Sequence, residues 1–312
     1  MKRAARPETS VNTGHSLISG DHAGRAVTMI IVSGACFALV GACVRLAGDL
    51  PLHEKMFFRS VVALAAIWVL VAREGVNPFT GGPRTPRLIL RGVLGTVVMA
   101  LYFFAIDNLT LADATILNKL SPFFILVFAG IFLKERLTRR VALALIIAFG
   151  GAVLVIQPQL DFKAVPAVAG LVSAIVSGST FTIMRSLRGK ETPYRIVFYF
   201  SLVTTLVTLP MVVVGFEQPE PLQWVWLLGA GVFATVGQIA FTLGSQQAPA
   251  TELSVFNYAH VIFALLVGLV LWGELPEALS LIGSAMIIGA GVLSHLGMRR
   301  KREAGSRVSG GH

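Results

Sequence analysis

Charge is scarce in this 312-residue chain. Asp, Glu, Lys and Arg make up 13% of it, against a hydrophobic share of 55% and a mean hydropathy of +0.76. A soluble domain carries roughly 25% charged residues, so the composition excludes an ordinary water-soluble fold and points into a bilayer. Cysteine is nearly missing as well. Cys36 and Cys43 both sit in one apolar stretch, where helical Cα atoms seven residues apart lie about 10 Å from each other, too far for a disulfide. Neither has a His or carboxylate beside it at metal-ligand spacing, so both read as small packing residues and no metal or other cofactor is expected. The chain also lacks a Gly-rich phosphate loop ending in GKS or GKT, an HExxH pair and paired intramembrane aspartates. These absences speak against ATP hydrolysis and against an intramembrane enzyme, and a Ser254/His260 pair has no third group to orient it. No small-residue cleavage site follows the first apolar run, which therefore reads as a retained membrane helix.

What is present is a repeat. Leu101 to Glu135 aligns without a gap on Ala240 to Glu274, so that Asp113 falls on Glu252, Asn118 on Asn257, Phe124 on Phe263 and Glu135 on Glu274. Internal repeats in an apolar chain commonly build a carrier that rocks around a site between the two copies.

Apolar segments long enough to cross a 30 Å core recur near 26–47, 54–72, 88–106, 112–133, 139–157, 164–187, 194–215, 222–245, 250–272 and 276–297. Basic residues cluster in alternate connections: Arg73, Arg84, Arg87 and Arg91, then Lys134, Arg136, Arg139 and Arg140, then Arg185, Arg188, Lys190 and Arg195. Both tails are basic, and the intervening connections carry mainly acids, among them Asp49, Asp107, Asp113, Glu217, Glu220, Glu274 and Glu277. Basic loops stay in the cytoplasm, which puts both termini inside and reads the net charge of +10 as a topology signal rather than a nucleic-acid surface. The expected fold is an all-α membrane protein of ten transmembrane helices arranged as two five-helix repeats. Five is odd, so the second copy enters the membrane from the other side and the repeats are inverted. The expected boundaries are a cytoplasmic tail over 1–25, repeats over 26–158 and 162–297, and a basic cytoplasmic tail over 298–312.

Polar side chains inside a span need a partner or a wet cavity. Thr115, Asn118 and Ser121 share one face of the fourth span, and Ser254, Asn257 and His260 occupy equivalent positions in the ninth. Two symmetry-related polar stripes are what a cavity between repeats requires, although interhelical hydrogen bonding would use the same residues. Lys119 lies too deep to reach the interface, and reads as a cavity cation or the partner of an acid. Arg59 reads as a snorkelling residue with an acidic neighbour or as a contact near the outer mouth. Ser173, Ser177 and Thr180, and Gln238, Thr242 and Ser245, could line the cavity or bond a neighbouring helix. Tyr102, Phe103, Phe104, Phe241 and Tyr258 could form an aromatic wall. Proton coupling through His260 is a weaker reading than hydrogen bonding inside the bundle, and Gly150-Gly151 and Gly289-Ala290-Gly291 read as helix seams.

The segments FFRSVVAL (Phe57 to Leu64), LADATILNKLSPFFILVFAGIFLKERL (Leu111 to Leu137), GGAVLVIQP (Gly150 to Pro158) and ATELSVFNYAHVIFALLVGLVLWGE (Ala250 to Glu274) resemble the EamA family of the drug/metabolite transporter superfamily. Pro122 fits the mid-helix proline of that family, whereas the equivalent position in the second copy is Val261. The resemblance implies secondary transport, often efflux, of a small organic solute across a bacterial inner membrane. The partners implied are that solute and the lipid bilayer, with no nucleic acid. A homodimer and coupling to protons or a counter-solute stay open, and a structural membrane protein is the alternative to transport.

Overall fold

The apolar runs fold as helices. A computed structural model describes residues 20–73, 78–79, 82–124, 127, 139–156, 164–187, 189–247 and 256–309. Its helices are α1 (Gly20–Leu46), α2 (Leu52–Arg73), α3 (Thr85–Asn108), α4 (Leu111–Asn118), α5 (Arg139–Ile156), α6 (Ala164–Leu187), α7 (Pro193–Val214), α8 (Pro221–Gln247), α9 (Ala259–Trp272) and α10 (Ala278–Ser309). Local chemistry fixes the starts. Thr110 caps α4 by accepting from the Asp113 amide at 3.1 Å, and Thr192 caps α7 in the same way ahead of Pro193. Helices α1, α2, α3, α6, α7 and α8 are long and apolar enough to cross a membrane, and α5, α9 and α10 carry shorter apolar stretches. Their outward faces expose Ile146, Val213, Val214 and Val270, a surface suited to lipid rather than water.

Packing follows a regular scheme. The pair α1 and α8 has a counterpart in α6 and α3; α1 and α9 in α6 and α4; α2 and α8 in α7 and α3. Helices α2 and α7, α4 and α9, and α5 and α10 pair directly. The last contact is glycine-dependent: a Cβ on Gly151 would stand 2.6 Å from the Gly283 carbonyl oxygen, so the two backbones touch. The seam at Gly291 is real too, because a Cβ there would meet the Tyr258 ring at 2.5 Å, but Gly289 faces open space. Cys36 and Cys43 are buried free thiols in α1, packed against Gly237 and Gly229 of α8.

Hydrogen bonds between connections sort the helix ends into two groups. At one end Glu54 accepts from the Glu217 amide at 2.6 Å, Gln223 donates to the Ala47 carbonyl at 3.0 Å, and Ser280 bonds Asp113. Here too Arg45 pairs with Glu274 at 2.5 Å and Lys55 with Asp107 at 2.8 Å. At the other end Arg84 donates to the Lys190 carbonyl and Arg195 to that of Pro78. The first group will be called the paired end and the second the basic end.

Candidate functional site

The fourth span is not one continuous helix. Pro122 has no N–H to offer the Asn118 carbonyl one turn earlier, and its ring crowds that carbonyl, so α4 stops at Asn118. Lys119 and Leu120 form a turn with bonds three residues back, Lys119 to Ile116 and Leu120 to Leu117, and helix resumes at 121. In the second copy the aligned stretch Phe256–Tyr258 is a 3-10 turn leading into α9, although no proline stands there. A turn thus stands at the aligned position of both copies in spite of Val261, and will be called the joint. It sets Lys119 next to Asn118 at the end of α4, and Asn257 directly ahead of α9.

A cavity of ≈190 Å³ lies against both joints. Asn118, Lys119, Ser121, Asn257 and His260 line it, with Arg59 from α2 and Gln238 from α8. Of the remaining expected residues, Thr115 is fully buried and bonds the Tyr102 hydroxyl at 2.8 Å, so it reaches the cavity only through that lining tyrosine. Tyr258 is turned away and packs on Gly291. Ser254 lies outside the described residues, as do Glu135 and Glu252. Asn118 also donates to Ser173 of α6 at 2.8 Å, so its amide ties helices together while facing the cavity. Ser177 and Thr180 line the space, whereas Thr242 and Ser245 bond carbonyls of their own helix. Phe103 and Phe241 belong to the wall; Phe104 is exposed on the bundle surface.

The electrostatics are one-sided. Arg59 is buried at 6% exposure, donates to the Met99 sulfur at 3.0 Å and lies 5.7 Å from the Phe200 ring centre. Among the described residues it has no acidic neighbour, and its burial speaks against the snorkelling reading. Arg91 is equally buried and stands 4.4 Å over the same Phe200 ring. Among the described residues, Nε of Arg59 and both Nε and Nη1 of Arg91 have no hydrogen-bond partner, and no Asp or Glu lines the cavity. Stranding a buried ion costs about 3–5 kcal/mol, and an aromatic face returns only about 1–2 kcal/mol of that. Two guanidiniums and the Lys119 ammonium therefore surround this space without a counter-charge among the described residues.

Arg91 is the residue that sequence reasoning misplaced, as a loop charge marking topology. The helix starts at Thr85, with Pro86 in its first turn, which puts Arg91 well inside α3. Glu54 and Lys55 lie in the first turn of α2, where both are buried.

The sequence pattern of EamA-like transporters matches residues 24–157 and again 165–295. The chain belongs to the EamA-like transporter family. With it comes membership of the drug/metabolite transporter superfamily, and the activity is membrane transport rather than catalysis. Among the relatives of this EamA protein, the pseudopaline exporter CntI of Pseudomonas aeruginosa strain UCBPP-PA14 is 35% identical over 267 residues, covering 85% of this chain and 93% of that one. An uncharacterized transporter of Helicobacter pylori strain 26695 is 26% identical over 280 residues, with 86% and 93% covered. Human solute carrier family 35 member G1 is 28% identical over 292 residues, with 86% and 78% covered. A solved crystal structure with 18% identity superposes with a TM-score of 0.65 over 90% of this EamA chain and 98% of its own, a likeness of fold alone.

Proposed function

We propose that the protein is a secondary transporter of ten membrane spans that carries a small organic solute out of the cytoplasm by alternating access between two inverted five-helix repeats, 26–158 and 162–297. The observation that carries this reading is the lining of the cavity. It draws on α1, α2, α3 and the α4 joint from one half, and on α6, α7, α8 and the α9 joint from the other, as a site at a repeat interface must.

Three further features support it. The packing scheme exchanges the two halves pair by pair. Helix α1 runs towards the paired end, where Arg45 meets Glu274, while α6 runs away from it, with Ala167 beside Asp113 and Lys190 at the basic end. The basic end bears Arg84, Arg195 and Lys190, which supports a cytoplasmic position for that end in an inner-membrane protein. The cavity draws Ser177, Thr180 and Met184 from the basic half of α6, whereas at the opposite end the Arg45–Glu274 pair ties the two halves together. This supports a carrier loaded from the cytoplasmic side, and the word exporter in the name of the Pseudomonas relative supports the same direction.

The test uses single cysteines at Asn118, Asn257 and Thr180 on a cysteine-free background. In right-side-out and inverted vesicles, membrane-impermeant thiol reagents should reach them from the cytoplasmic face, and solute should alter that access. Counterflow in liposomes, screened across amino acids, organic acids and nucleosides with and without a pH gradient, should show exchange. Cysteines at these positions that react only with lipid-soluble reagents, or termini on opposite faces, would overturn the carrier.

A further inference from the structure

Resting on that carrier reading, we propose that the cargo is an organic anion with two or more separated acidic groups, one held by Arg59 and Arg91 together and another by Lys119. The two arginines come from different helices, α2 and α3, yet both lie against the Phe200 ring, at 5.7 and 4.4 Å. Their charges therefore share one wall. Like charges gathered in a water-poor space repel unless an anion lies between them. Their free nitrogens, Nε of Arg59 and Nε and Nη1 of Arg91, are donors without acceptors among the described residues. Guanidinium groups suit the paired oxygens of a carboxylate or phosphate.

Lys119 stands apart from that wall. It sits at the α4 joint, and α4 packs chiefly on α6 and α9, and less on α3. Three cations from three elements line one cavity, so a ligand with two or more acidic groups along its frame answers more of them than a single acid can. Phe37, Phe103, Phe181 and Phe241 give that frame an apolar wall, and Gln238 and Asn257 offer neutral hydrogen bonds. A simple zwitterion would leave the site strongly positive, and a cationic drug would add to it.

The experiment measures binding first, by isothermal titration of the purified full-length chain at low and high salt. The probes are hexanoate, adipate, tricarballylate, phenyl phosphate, fructose 1,6-bisphosphate and spermidine. Adipate and tricarballylate, or the bisphosphate, should bind at least 10-fold tighter than hexanoate and phenyl phosphate, and spermidine should not bind. Which of the two arms succeeds tells carboxylate from phosphate. Arg91→Gln and Arg59→Gln should each remove most of that preference, whereas Arg91→Lys should keep part of it. Should a variant not fold, salt dependence of the intact chain still reads out the charges. Equal binding of hexanoate and adipate, binding of spermidine, or an unchanged ranking in a folded Arg91→Gln would overturn the proposal, even if counterflow of a neutral solute upheld the carrier. Tight polyanion binding without any counterflow would uphold the site and sink the carrier instead.

Discussion

The cavity and the paired end of the bundle hold the same kinds of cation and treat them oppositely. At the paired end each buried or half-buried cation has an acid: Arg45 meets Glu274 through two nitrogens, at 2.7 and 2.5 Å, and stacks on Trp272, while Lys55 meets Asp107 at 2.8 Å. The αL turn at Gly273, with φ of 65°, ends α9 so that the chain doubles back and Glu274 can reach across to α1. In the cavity Arg59, Arg91 and Lys119 have rings, sulfur and neutral polar groups around them, but no carboxylate among the described residues. Ion pairs that complete themselves hold helices together. Cations left incomplete are poised for a charge that arrives from outside, which is how a binding site differs from a structural contact.

The largest effect should come from the cavity. Lys119→Ala should cut transport on the order of 100-fold, the loss expected when one partner of a desolvated charge contact is removed, while melting of the purified protein stays near that of the parent. A Lys119→Ala protein that transports normally would break the comparison at its base. The next effect tests the sign of the difference. Lys55→Met strands Asp107 and should lower stability by roughly 2 kcal/mol, below the fully buried figure because the Asp107 side chain keeps 26% of its exposure. Arg91→Met removes a charge that had no partner and should leave ligand-free stability unchanged or raise it. Thermal unfolding of both variants side by side decides this; two equal losses would mean that Arg91 has a structural counter-charge after all.

How much of this could be read beforehand depends on the distance over which each feature is set. Helix positions were legible because hydropathy and turn residues act locally; the repeat and the polar positions 118 and 257 were legible because the two copies lie in one alignment. Arg91 was not. Its meaning depends on Phe200, more than a hundred residues away, and on a helix start three residues earlier than hydropathy suggested. Nor could the turn at Phe256–Tyr258 be read, since no proline marks it and Val261 stands where the first copy has Pro122. Arg59 and Lys55 sit one turn apart in α2, and nothing local says that one finds Asp107 while the other finds none.

The smallest expected effect concerns the seal itself. Arg45 and Glu274 keep 24% and 22% of their side-chain exposure, so their pair is partly screened and Glu274→Gln should cost about 1 kcal/mol or less in stability. In a carrier that alternates as proposed, a bond made only while the paired end is closed biases which state is populated, and 1 kcal/mol changes that balance about fivefold. Labelling of a cysteine at Gln238 from the paired-end side should therefore rise several-fold in Glu274→Gln, at nearly unchanged melting temperature, and fall again in the charge-swapped Arg45→Glu/Glu274→Arg protein. If labelling and melting instead move together, the pair is scaffold like Lys55–Asp107, and closure must be sought in the packing of α1 against α9.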